Sequence, residues 1–143
     1  MTINYHGWTH RPKVQGGSDP IDYVVLKIKL TGDRADDDPP VADARAFTVP
    51  VDNDMHGLRL KNAFVQVGTV SSSGGVTISI ENETQAVTLM STDGPGASTF
   101  IKDCTASLAA NPDNIVQMDD ILVIAIVGAG TDARGLGCTL EFY

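Results

Sequence analysis

Ile121 to Val127, ILVIAIV, is an unbroken apolar run of strand length, and most of it is β-branched. Apolar residues at both odd and even positions leave this strand no wet face. It therefore belongs at the centre of a sheet, with another layer over it. The loop Gly128 to Arg134 follows. Cys138, Leu140 and Phe142 then alternate with Gly137, Thr139 and Glu141, the period of a half-buried strand. Two such strands joined through Gly128 and Gly130 predict an antiparallel hairpin. No stretch has the helical period, so the covering layer must be a second sheet.

The rest of the chain supplies that sheet. Asp22 to Leu30 alternates Val24, Leu26, Ile28 and Leu30 against Tyr23, Val25, Lys27 and Lys29, with the lysines on the wet side. Asp and Pro keep Thr31 to Arg45 as a loop. Ala46 to Val51 is a short strand that Pro50 confines to an edge or a strand end. Gly57 to Val67 is a longer one, whose apolar face shifts from Leu58 and Leu60 to Ala63, Val65 and Val67, predicting a bulge near Asn62. Val76, Ile78 and Ile80 face inward; Asn82 to Gln85 turns into a strand from Ala86 to Met90. Ser91 to Leu108 has no clear period. Fourteen glycines and seven prolines suit this turn-rich pattern. The fold class is all-β: a two-sheet antiparallel β-sandwich over residues 22–143.

Residues 1–21 read differently. Gly7, Pro12, Gly16, Gly17 and Pro20 interrupt any period, so this segment is expected to be an extended N-terminal arm. Tyr5, Trp8 and Val14 are its anchors. His10, Arg11 and Lys13 form a positive cluster in a chain of net charge −8. An arm of this kind gains by lying along another protein, and the domain should fold without it.

The same charge argues against nucleic acid as a partner, because no basic stripe exists to release counterions. No window approaches the ~18 apolar residues that span a bilayer, and the N-terminus lacks a signal peptide's apolar core. Cys104 and Cys138 are expected to be reduced thiols.

Candidate chemistry is sparse. His6 and His10 have ligand spacing, but Gly7 and Pro12 deny them a helix and no third ligand is near. Asp33, Asp36, Asp37, Asp38 and Asp43 offer oxygens of the kind Ca²⁺ takes, without the order of a calcium loop. Glu81 and Glu83 share one side of a strand, yet nothing places a cleft between them. Neither SSSGG nor GAGTDARG opens a helix, so neither forms a nucleophile elbow or a phosphate loop. No catalytic residue, cofactor or metal is expected.

From Phe47 onward, three stretches carry a resemblance: FTVPVDNDMHGLRLKNAFVQV, GGVTISIENETQAVTLMST and NIVQMDDILVIAIVGAGTDARGLGCTLEFY. Their order resembles a jelly-roll domain found in structural proteins of tailed bacteriophages. The resemblance covers about two thirds of the chain. It implies a virion building block made in the host cytoplasm and carried on the outer capsid surface. Most directly it implies a decoration (cement) protein that binds the major capsid protein and other copies of itself, as a homotrimer. The alternative it leaves is a tail, fibre or baseplate module whose loops, Ser71 to Gly75 and Gly128 to Arg134, grip a host glycan.

Overall fold

The computed structural model describes residues 3–5, 8–10, 23–31 and 37–143, the first two segments by their backbone alone. Eight strands form two four-stranded antiparallel sheets: β3 (Val24–Lys29), β4 (Asp43–Pro50), β5 (Leu60–Gln66), β6 (Val76–Asn82), β7 (Val87–Asp93), β8 (Ile101–Asp103), β9 (Ile121–Ala129) and β10 (Gly137–Phe142). One sheet runs β3-β10-β5-β8, the other β4-β9-β6-β7. The order is nested: the first of these strands pairs with the last, β4 with β9, β5 with β8 and β6 with β7. That is the winding of a jelly roll.

Between the sheets lies one core. Leu26 and Ile28 of β3, Ala63 and Val65 of β5, Ile78 and Ile80 of β6, Leu122 and Ile124 of β9, and Leu140 and Phe142 of β10 are all buried. The inward parity expected for β3, β6 and β10 is the one observed.

Two expectations need correction. β9 and β10 are not a hairpin; they lie in opposite sheets. β9 already hydrogen-bonds β4 on one side and β6 on the other, so the chain crosses to the facing sheet to find β10 its neighbours. Positive φ at Gly130, Asp132 and Gly135 turns the backbone through that crossing, and Leu136 is buried within it. The second correction concerns β4, which begins at Asp43 rather than Ala46, with an irregular register between Asp43 and Phe47. The bulge expected near Asn62 is present in β5: Glu141 pairs Asn62 and Phe142 pairs Leu60, so Lys61 is the inserted residue.

The aperiodic stretch after β7 resolves into β8 and a 3₁₀ turn, Thr105–Ser107. Within residues 1–21, β1 (Ile3–Tyr5) and β2 (Trp8–His10) pair antiparallel. β2 lies close beside β3.

Inner and outer substitutions on the same strands should separate cleanly. Ile80→Ala or Leu140→Ala is expected to cost roughly 2–5 kcal/mol, as for other large-to-small core changes. Thr77→Ala and Thr139→Ala, half-exposed on the other faces, should cost less than half as much. Urea denaturation of the four variants checks this; equal costs would mean the registers are wrong.

Candidate functional site

The two sheets present different faces to solvent. On the outer face of the β3-containing sheet, Thr139 sits between Lys27 and Phe64, and Glu141 between Val25 and Asn62. Tyr143 continues this row. Its ring meets Tyr23 edge-on, with centroids 6.1 Å apart, and its hydroxyl accepts a hydrogen bond from Asn62 Nδ2 at 3.0 Å. The face thus holds Tyr23, Phe64 and Tyr143 from a chain with only eight aromatics, 1 Trp, 3 Tyr and 4 Phe. Lys27 and Lys29 stand exposed on the same strand as Val25. Aromatic rings among mixed polar groups are what a protein-binding surface uses.

The opposite outer face carries the second apolar parity of β9. Ile121, Val123, Ala125 and Val127 are flanked by Pro50 and Thr48 on β4 and by Glu81 and Ser79 on β6. Arg45 on β4 pairs with Glu83, which follows β6, so this ion pair spans β9. Both partners are about half exposed, which puts the pair over the outer face, where Val123 keeps only 6% exposure. Glu83 is therefore committed to Arg45, not poised opposite Glu81.

At one end of the sandwich the two loops singled out in the sequence come together. The Ser71 hydroxyl donates to Ser73 O at 2.7 Å and accepts from Thr131 N at 2.9 Å. Ser72 N donates to Thr131 O, and Ser98 N to Ser71 O. Phe100, 59% exposed, borders this end: its carbonyl accepts from Val67 N, and the next residue, Gly68, donates to Arg134 O.

Two carboxylates hold corners of the fold. Asp120 is buried and accepts from Asn82 Nδ2 at 2.8 Å, Gln85 Nε2 at 2.5 Å and Gln117 N at 2.9 Å. It ties the β6–β7 turn to the start of β9. Asp93 joins the sheets at their other margin. It accepts from Lys102 Nζ at 2.6 Å, Ser107 Oγ at 2.7 Å and Gly94 N at 2.8 Å. Burial pushes its carboxyl up, but the bonds from Lys102, Ser107 and Gly94 outweigh this and bring it from 3.8 to about 2. So weak a base cannot activate Ser107, and Asp93 in turn holds the Lys102 ammonium charged.

Both cysteines are free and buried. Burial, and then Asp93, raise the Cys104 thiol to about 11; burial, and then Cys104, raise Cys138 to about 12. Each stays protonated at neutral pH and is a packing residue, not a nucleophile.

Of the arm residues, Tyr5, Trp8 and His10 sit on β1 and β2, described by backbone alone; His6, Arg11, Lys13 and Val14 lie outside the described residues. So do Asp33 and Asp36 of the acidic loop. Among the described residues, no three His, Cys, Asp or Glu side chains gather as a metal site would require. The aromatic face went unnoticed in the sequence because Phe64 and Tyr143 join Tyr23 only through pairing with β10. Its one legible sign was Tyr23 on the lysine-bearing side of its strand. No protein-family model, curated protein or solved structure matches this chain.

Asp93 should leave a signature in the pH dependence of stability. Its folded pKa lies below the unfolded one, so its contribution is complete above about pH 4 and disappears as pH falls toward 2. Asp93→Asn should melt below the parent at pH 6, and the gap should close on acidification between those limits. Thermal melts of both proteins across that range measure it.

The thiols supply a second check. A thiol reagent at pH 8 should label the native chain roughly a hundredfold more slowly than the urea-unfolded chain. Rapid labelling of either native cysteine would contradict the burial described.

Proposed function

We propose that this chain is a virion structural protein that decorates a capsid, docking on the major capsid protein lattice. The observation that carries the reading is the lysine-and-aromatic outer face of β3, β10 and β5. It sets Tyr23, Phe64 and Tyr143 beside Lys27 and Lys29 on a chain of net charge −8. Such a face suits a protein surface with apolar pockets and carboxylates. The arm supports the same reading, because β2 lies close to β3 and the sequence continues from it into Arg11 and Lys13. The polar clusters with the best geometry, around Asp93 and Asp120, are spent on holding strands together.

The second reading, a receptor-binding module for a host glycan, has its own support. The Ser71 and Thr131 loops are hydrogen-bonded together, and exposed Phe100 borders them with a ring on which a sugar could stack.

One experiment separates the two. Co-sedimentation with undecorated capsids should weaken roughly tenfold or more in the double variant Lys27→Glu/Tyr143→Ala, the effect expected of an interface hot spot. Phe100→Ala should leave it unchanged. Capsid binding that survives the double variant, together with a glycan-array signal that Phe100→Ala abolishes, would transfer the function to the loops.

A further inference from the structure

Four strand edges flank the two sheets, and three are guarded. β3 has β2 close beside it. β4 carries Asp43, Arg45, Pro50 and an irregular register, all of which deter a further strand. β7 is covered by the segment after the 3₁₀ turn: Ala109 N donates to Leu89 O, and Met90 bridges Leu108.

β8 has no such guard among the described residues. Phe100 O accepts from Val67 N and Cys104 N donates to Ala63 O, so the even-numbered residues turn their main chain toward β5. Ile101 and Asp103 turn theirs outward, and no described group meets them. Phe100 and Ile101 are also 59% and 53% exposed. An apolar edge with unmet backbone groups is a template for another strand.

We infer that β8 pairs with β8 of a second copy, antiparallel about a two-fold axis at Ile101. The free groups match this register. Ile101 N–H and C=O exchange bonds with the partner's Ile101. Asp103 N–H reaches the partner's Thr99 at its carbonyl, the one main-chain group of that residue left open, since Thr99 N is engaged by Gly96 O. Phe100 then faces the partner's Lys102, a cation held in place by Asp93. The competing register, centred on Lys102, sets two lysines opposite each other. Charge thus selects the register at Ile101. The contact is isologous, so it closes at two copies, where the sequence resemblance implies three. It makes one eight-stranded sheet with both lysine-and-aromatic faces on the same side. The pairing stands independently of what those faces bind.

Sedimentation velocity of the full chain, from micromolar to millimolar, should show a monomer–dimer equilibrium. Ile101→Pro removes only an outward N–H and leaves the ladder to β5 intact. It should weaken the dimer roughly thirty-fold, through two lost main-chain bonds, with circular dichroism and melting unchanged. Should that variant unfold, cysteine trapping decides. The register brings the two Ile101 Cα atoms to about 5.5 Å, within disulfide reach. Ile101→Cys should therefore cross-link two copies on mild oxidation, whereas Met118→Cys, similarly exposed at 50%, should not. A monomer at millimolar concentration, a trimer, or a dimer that Ile101→Cys fails to cross-link would overturn the pairing.

Discussion

Because β9 hydrogen-bonds on both sides, to β4 and to β6, it has no edge left for β10, and that exclusion orders the rest of the chain. β10 must cross to the facing sheet and take β3 and β5 as neighbours. The inner face of β9 supplies much of the reason for the crossing. Leu122 and Ile124 are fully buried and Ile126 nearly so, each worth about 1.5–3 kcal/mol relative to exposure. That burial requires the second sheet, and β10 contributes Cys138, Leu140 and Phe142 to it. Nested pairing follows, with each later strand returning to an earlier one.

Where side-chain period alone decides a strand, the sequence was a sound guide. β3, β6 and β10 have the inward residues their alternation implied, and β9 is central as its two apolar faces required. The misreading of β9 and β10 as a hairpin has a plain cause. A turn-rich loop between two apolar strands looks alike whether it reverses within one sheet or bridges two, and only the neighbours of β9 distinguish these. β8 was illegible for another reason: its three residues are all exposed, so burial imposes no alternation on it. The aromatic face depended on register as well. Phe64 and Tyr143 are far apart in sequence, and pairing of β5 and β10 brings them to one surface.

The distribution of polar groups bears on function. Asp93 and Asp120 accept three hydrogen bonds each from groups that close sheet margins and turns. Their lone pairs serve the architecture and leave little for a substrate. The outer faces are less committed. One sheet offers rings and ammonium groups; the other offers branched aliphatics under the Arg45–Glu83 pair. The proposed capsid role draws on the extended outer faces, and the glycan reading on the loops at one end.

Nested pairing also decides how the domain responds to pulling. Val24 opens β3 directly opposite Phe142, the last residue of β10, so the two ends of the sandwich leave from the same end of adjacent antiparallel strands. Tension between those ends loads the ladder one rung at a time, as in opening a zipper, instead of shearing all rungs together. A tether that joins this chain to other proteins through both its termini would therefore peel β3 from β10 at low force. Anchorage through the sheet face spreads the same load across many contacts at once.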